Sequence, residues 1–290
     1  MLLRFHRVFA NRNQLLGLVC SLALTTLSVN NAAAGTLWSQ GFETDKNGWF
    51  DEGNGWDGTA TRVASGGGTL GVTSSSGGFH AEFTQSGGPP PTGPFSGFDG
   101  YRSVWPGDYM ASIDIYLDTG WALGEGFDYS VAANGSDGLH QRDFIFHVTK
   151  DTSTGDLLVG SSNNTNFAPR EDLETLTNYV VADTGWYTFQ HHFYDVGGIL
   201  NVDLNLLDGL GSTVYSNTLS SAADTIPGEV GGNRYAWFTN IDVATGIAVD
   251  NQSLSTVPEP ASMLTFAALG LCASVGARRK MRRSQGRMQA

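Results

Sequence analysis

Apolar and polar residues alternate with a period of two along most of the chain. The clearest case is 199–207, where Val202, Leu204 and Leu206 point to one side and Asn or Asp residues to the other. Few windows longer than eight residues between 35 and 257 lack glycine or another turn-forming residue, which disfavours helices. The pattern predicts strands at 36–43, 59–65, 69–74, 79–84, 109–118, 127–133, 144–148, 156–161, 178–182, 187–193, 199–207, 213–219, 234–239 and 247–254.

Many short strands with one buried face predict an all-β fold, a two-sheet antiparallel β-sandwich over residues 35–256. A brief helix is expected only at 170–176. The stretch 86–97 contains Pro89, Pro90, Pro91 and Pro94, so it is expected to form an exposed loop. A division into two subdomains would fall there, but 35–85 is short for a core of its own, which favours one domain.

The N-terminus has the three parts of a secretory signal peptide. Basic Arg4, Arg7 and Arg12 precede an apolar stretch at 15–29, and small residues follow at 32–34. We therefore expect residues 1–34 to be a signal peptide and the protein to be exported across the inner membrane. An uncleaved anchor helix is the alternative.

The C-terminus has a second tripartite segment, over 257–284, followed by a tail at 285–290. Pro258, Glu259 and Pro260 precede an apolar run at 263–277, whose fifteen residues would rise about 22 Å as a helix, short of a hydrocarbon core of roughly 30 Å. Extension back to Pro260 makes a marginal transmembrane helix. A basic cluster follows, formed by Arg278, Arg279, Lys280, Arg282 and Arg283.

This end resembles the PEP-CTERM sorting signal of exported proteins in Gram-negative bacteria. The resemblance implies recognition by an exosortase-type membrane protease, transient anchoring in the inner membrane, and a final place at the cell surface or in the extracellular matrix. An ordinary stop-transfer anchor is the other interpretation of the same residues.

Charge and cysteine content exclude several classes of function. Nine of the 16 basic residues lie in the terminal segments, whereas 27 of the 28 acidic residues lie between 35 and 257. A body this acidic repels phosphate backbones, so no nucleic-acid partner is expected. The two cysteines, Cys20 and Cys272, lie in the apolar terminal segments, which leaves the body without a disulfide or a thiolate metal site.

The edges of the body carry a further resemblance. Gly41-Phe42-Glu43 with Gly48-Trp49, paired with the closing segment 247–254, looks like the first and last strands of jelly-roll carbohydrate-binding modules and concanavalin-A-like lectin domains. The resemblance implies that the terminal strands lie side by side. It also implies a structural Ca2+ ion held by Glu43 and Asp250. Two solvated strand-end carboxylates are the alternative.

No catalytic residue is predicted. The sequence lacks Gly-x-Ser-x-Gly, His-Glu-x-x-His and phosphate-binding glycine loops. Asp114 and Asp118 share a strand face, but they are about 13 Å apart along an extended chain. The acid cluster at 171–174 lies in the expected helix, and His191 is in phase with apolar neighbours, as a core residue would be.

Sugar binding requires flat apolar surfaces beside hydrogen-bonding groups. Tryptophans in glycine-rich surroundings could supply such surfaces, and they are Trp49, Trp56, Trp105 and Trp121. The sequence therefore favours a non-catalytic, surface-sorted sandwich that associates with exopolysaccharide or another extracellular glycan. The alternatives are a structural matrix protein without a small ligand, and a polysaccharide hydrolase or lyase whose site the sequence does not reveal.

Overall fold

The computed structural model describes residues 35–257 except 54, 88–91, 99, 164–167 and 233–234. Its sixteen strands are β1 Thr36–Gln40, β2 Trp49–Phe50, β3 Glu52–Gly53, β4 Trp56–Ala64, β5 Phe79–Gln85, β6 Thr92–Ser96, β7 Tyr109–Leu117, β8 Gly126–Asn134, β9 His140–Lys150, β10 Leu157–Asn163, β11 Asn178–Val180, β12 Gly185–Val196, β13 Ile199–Leu207, β14 Thr213–Thr225, β15 Ala236–Thr239 and β16 Ile247–Thr256. A short helix, α1, covers Ala168–Glu171, and a 3₁₀ helix covers Leu173–Thr175.

The strands form two antiparallel sheets. The first runs β14-β13-β12-β7-β16-β5-β4-β3, with β1 also paired to β16, and the second runs β11-β10-β9-β8-β15-β6-β2. The first and last strands are thus neighbours, as expected, with Trp38 opposite Leu254. The predicted two-sheet antiparallel sandwich is confirmed for the described residues.

Aromatic side chains join the inner faces of the two sheets. Phe146 of the second sheet meets Phe189 of the first edge to face, with ring centroids 5.0 Å apart. Phe238 contacts Phe83 in the same way at 5.5 Å and packs on Tyr129 at 4.8 Å. All five rings are fully buried, so this aromatic layer is the center of the core.

Two sequence predictions about the path of the chain were wrong. Thr92–Ser96, expected in a loop, is a buried strand between β15 and β2. Its register with β15 shifts between Trp237 and Thr239, and such an irregularity accommodates Pro94, which has no N–H for a regular ladder. The expected strand at 69–74 is instead a loop, because the Glu82 carboxylate accepts hydrogen bonds from the backbone N–H groups of Thr69 and Leu70.

Several expectations concern residues that the structure does not describe. The signal peptide at 1–34, the Pro258-Glu259-Pro260 motif, the apolar run and the basic cluster all lie outside the described residues. Within the described part of the chain, no helix has the length and apolar character needed to cross a bilayer.

The aromatic layer gives a stability prediction. Replacing Phe238 with alanine removes a fully buried ring, and we expect the free energy of unfolding to fall by about 3–5 kcal/mol. Leu210→Ala, at a side chain that is 93% exposed, should change it by less than about 0.5 kcal/mol. Urea denaturation measures both, and equal effects of the two substitutions would contradict this account of the core.

Candidate functional site

The four tryptophans named as sugar-stacking candidates lie in different environments. Trp49 is 3% exposed and packs against Phe83 and Phe238 in the aromatic layer. The expectation that its ring is available to a ligand is therefore wrong, because the residue belongs to a short strand, β2, that turns the indole inward. Trp56, Trp105 and Trp121 are partly buried and lie at the edges of the core.

These three indoles do not share one surface. Trp105 packs on Tyr109 at the start of β7, whereas Trp121 follows the end of the same strand. Nine residues of strand separate these positions by about 27 Å. Trp56 contacts Trp237 of the second sheet, with ring centroids 5.6 Å apart. A single stacking platform built from all the candidates is thus not formed.

A pocket forms around Trp121 instead. Tyr116 and Asp118 of the β7 end contribute to it, and the remaining lining residues are Leu70, Val72, Thr245, Gly246, Ile247 and Ala248. The Asp118 carboxylate accepts hydrogen bonds from the Gly120 N–H at 2.8 Å and the Thr184 hydroxyl at 3.2 Å, which hold it in place. Two aromatic rings and a fixed carboxylate are the groups that bind the apolar face and the hydroxyls of a sugar.

The alternation of β7 explains why these groups share a surface. Ile113, Ile115 and Leu117 are fully buried in the core, so Tyr116 and its partly exposed neighbours point to the outer face of the first sheet. On that face Trp186 meets Tyr116 edge to face at 5.6 Å, and its indole N–H donates to the Thr73 carbonyl at 2.8 Å. The loop that replaces the expected strand at 69–74 thereby forms one wall of the pocket.

Asp114 lies on the same face but is fully engaged in hydrogen bonds. Its carboxylate accepts from the Thr188 hydroxyl at 2.6 Å, the Ser75 hydroxyl at 2.7 Å and the Asn251 amide at 2.8 Å. These hydrogen bonds connect β7 to β12, to β16 and to the loop before β5. The hypothesis of an acid pair with Asp118 gains no support from this geometry.

Glu43 and Asp250, the expected calcium ligands, are brought to the same region. Glu43 accepts hydrogen bonds from the backbone N–H groups of Gly78 and Phe79, and the neighbouring Ser76 N–H donates to Asp250 at 3.2 Å. Asp250 is fully buried, and its burial raises the pKa of the carboxyl to about 6, with the charges of Asp114 and Glu43 acting in the same direction. Negative charge is therefore concentrated here without a basic partner for Asp250 among the described residues.

The donor chemistry of this region suits a hard cation, which prefers several oxygen ligands. Within the described residues, however, no group of three or more His, Cys, Asp or Glu side chains is arranged to hold a metal ion. Glu43 and Asp250 would thus need backbone carbonyls or water to complete a coordination sphere.

Two adjacent histidines, His191 and His192, lie on opposite faces of β12. His191 is fully buried and meets the Phe144 carbonyl at 3.1 Å, and burial lowers the pKa of its imidazole to about 3. His192 stacks on Tyr194 on the outer face, with ring centroids 5.0 Å apart.

Sequence reasoning missed a third histidine, His147. Its Nδ1 atom is 2.7 Å from Asp128 Oδ1, and its Nε2 atom is 2.7 Å from Ser162 Oγ. The three residues come from three neighbouring strands, so no short motif contains them. The available signal was a histidine between Phe146 and Val148, out of phase with the apolar positions of its strand.

The described residues form a two-sheet antiparallel β-sandwich with polar and aromatic side chains on its outer faces. No model of a known protein family matches the chain, and no curated protein matches it. Solved structures show distant likeness. A carbohydrate esterase from the Shiga toxin-encoding bacteriophage phi24B is 16% identical, with 77% of this chain and 99% of that chain covered and a TM-score of 0.45.

Two further solved structures show a similar degree of likeness. The CBM2 module of the evolved Dit of Lactobacillus casei BL23 phage J-1 is 9% identical over 78% of this chain and 97% of that chain, with a TM-score of 0.39. The lectin UEA-II, complexed with galactose, is 12% identical over 77% of this chain and 100% of that chain, with a TM-score of 0.37. Likenesses this distant assign neither a family nor a function.

Asp250 gives a pH-dependent prediction. Its folded-state pKa of about 6 lies above the ordinary value of 3.8, so the stabilisation from its protonated form is present below pH 4 and is lost as pH rises through 6. Between pH 4 and pH 7 this loss is on the order of 3 kcal/mol. Asp250→Asn should remove this pH dependence. Between pH 4 and pH 7 the free energy of unfolding of the variant should therefore rise relative to that of the wild type by the same amount.

Urea denaturation in a chelating buffer at both pH values measures the difference. Asp156→Asn, at an exposed carboxylate, is the matched control and should keep the wild-type pH profile. If the free energies of unfolding of the wild type and Asp250→Asn changed in parallel with pH, the raised pKa would not belong to Asp250.

Proposed function

We propose that this protein is exported, is sorted to the cell surface through its C-terminal segment, and associates there with an extracellular polysaccharide. The signal-like residues 1–34 and the Pro258-Glu259-Pro260 segment support export and sorting. An exosortase-type protease and, before processing, the inner membrane are the partners that this segment implies. The described residues support the binding role through their outer-face pocket.

The observation that carries the binding role is the pocket around Trp121. Trp121 and Tyr116 offer apolar ring surface for the C–H face of a pyranose, and Asp118 offers a carboxylate already oriented by two donors. Aromatic rings beside a fixed acceptor bind neutral, hydroxyl-rich ligands well, because hydroxyl groups donate to the carboxylate. A neutral sugar also avoids the repulsion that an acidic body exerts on anionic ligands.

Calcium is a structural part of this proposal. Burial is the main cause of the raised pKa of Asp250, and a Ca2+ ion held by Glu43 and Asp250 would offset the negative charges of Asp114 and Glu43 that add to it. Since β16 pairs with both β1 and β7, an ion at this place would stabilise the junction between the two ends of the sandwich and its central strands.

Sugar binding is tested with the wild-type protein on an array of polysaccharides that includes the matrix polysaccharide of the producing cell. Trp121→Ala should weaken binding at least tenfold, because a lost aromatic contact costs about 1.4 kcal/mol or more. Trp105→Ala, at the opposite end of β7, is the control and should change the affinity less than twofold. Retention of no polysaccharide by the wild type would overturn the binding role, and equal losses in both variants would overturn its location.

Calcium binding is tested by thermal unfolding with and without millimolar Ca2+. A ligand that binds the folded state raises the melting temperature, so we expect a rise in the wild type that is absent from Glu43→Ala and Asp250→Asn. Asp156→Asn should retain it. An unchanged melting temperature of the wild type in Ca2+ would remove the ion from the proposal.

A further inference from the structure

A Ser-His-Asp chain crosses three neighbouring strands of the second sheet. Asp128 lies in β8, His147 in β9 and Ser162 in β10, and both links of the chain measure 2.7 Å between heavy atoms. A carboxylate can only accept, so Nδ1 of His147 donates its proton to Asp128. In the neutral imidazole, Nε2 is then the acceptor for the Ser162 hydroxyl proton.

Strand register places the three side chains on one face. Asp128 and His147 are directly opposite each other in the β8–β9 ladder. Ser162 is opposite Ile145, two residues before His147, and therefore projects to the same side as the histidine. Since Phe146 and Val148 point into the core, this side is the outer face of the second sheet.

The acid and the base of the chain are shielded from water. Asp128 and His147 are fully buried, whereas Ser162 is half-buried. The segment that contains α1 and the 3₁₀ helix packs over this face, with Leu173 against Gly160 and Arg170 donating to the Asn240 carbonyl at 2.6 Å. Burial strengthens the hydrogen bonds that hold the imidazole and leaves the hydroxyl end nearest the solvent.

A further hydrogen bond fixes the carboxylate. The Asn240 amide donates to Asp128 Oδ2 at 3.0 Å, while Oδ1 accepts from His147. Both carboxylate oxygens therefore have donors, which sets the plane of the group and, through it, the orientation of the imidazole. A structural role requires no such order of acid, base and hydroxyl, since apolar side chains would fill the same face without the cost of desolvating a carboxylate.

We propose that Ser162, His147 and Asp128 form a catalytic triad that hydrolyses carboxylic esters. Ser162 Oγ attacks the ester carbonyl carbon and forms a C–O bond, its proton passes to His147 Nε2, and the bond to the alcohol oxygen breaks as that oxygen takes the proton from His147. Water then attacks the acyl-serine, gives its proton to His147, and the acid leaves as Ser162 Oγ recovers a proton. Asp128 holds the imidazole in the required tautomer throughout.

This activity goes beyond the proposed binding role and does not depend on it. The triad lies on the outer face of the second sheet, whereas the Trp121 pocket lies at the end of β7 in the first sheet. A protein that hydrolyses a simple ester but retains no polysaccharide would keep the triad and lose the binding role. A protein that retains polysaccharide but hydrolyses no simple ester would keep the binding role and lose the triad.

The full-length protein is tested in two ways, with a fluorophosphonate probe that labels activated serines and with p-nitrophenyl acetate as the ester. We expect one labelled peptide, containing Ser162, and ester hydrolysis with a kcat/KM that falls at least about 1,000-fold in Ser162→Ala and His147→Gln. Ser161→Ala is the matched control, because that neighbouring hydroxyl forms hydrogen bonds with Tyr215 and Asn217 and not with His147. It should retain labelling and turnover within about twofold.

Labelling of the wild type at no site, or at another serine, overturns the proposal. So does a rate that is unchanged in Ser162→Ala. Because His147 is fully buried, its substitution can impair folding, so the melting temperature of each variant is measured alongside. Ser162→Ala removes one half-buried oxygen and keeps the test decisive if His147→Gln does not fold.

Discussion

Packing of aromatic rings between the two sheets determines which side of each strand faces the core and which side faces outward. Phe146, Phe189 and Phe238 occupy the shared interior, and strand geometry then sends the alternate residues to the outer faces. Both candidate sites are products of that constraint. Tyr116 is turned outward because Ile115 is turned inward, and His147 is turned outward because Phe146 is turned inward.

The same alternation is what the sequence reveals best. It predicted the sandwich and most strand positions, because period-two burial is a local property of each strand. The pairing of the end strands was implied only by the resemblance to jelly-roll modules. Local signals failed where a distant group decides the structure. Pro94 lies inside β6 because β15 supplies an irregular partner, and the 69–74 segment leaves the sheet because Glu82 of β5 binds its backbone. Trp49 was misplaced because a two-residue strand is too short to show a period.

Sites were harder to predict than strands, since each depends on the register between strands. Asp250 opposes Asp114 across the β16–β7 pair, 136 positions apart in sequence, and their mutual repulsion appears only once that register is set. The Ser-His-Asp chain depends on two registers at once, β8 with β9 and β9 with β10. A search for short motifs detects only catalytic residues that lie close together in sequence. It cannot detect three residues that are brought together from separate strands of a sheet.

The two outer faces differ in their access to water, and this difference suits them to different chemistry. On the first sheet Asp118 remains partly exposed beside Tyr116 and Trp121, so its carboxylate is accessible from solvent. On the second sheet Asp128 and His147 are fully buried, and Leu173 of the 3₁₀ helix packs on the neighbouring Gly160, so a low local dielectric strengthens the carboxylate–imidazole interaction. Burial shields the carboxylate–imidazole pair from competing water, whereas a covering segment over the Trp121 pocket would exclude a ligand. The buried pair on one sheet and the open pocket on the other are therefore consistent with a division of roles between the faces.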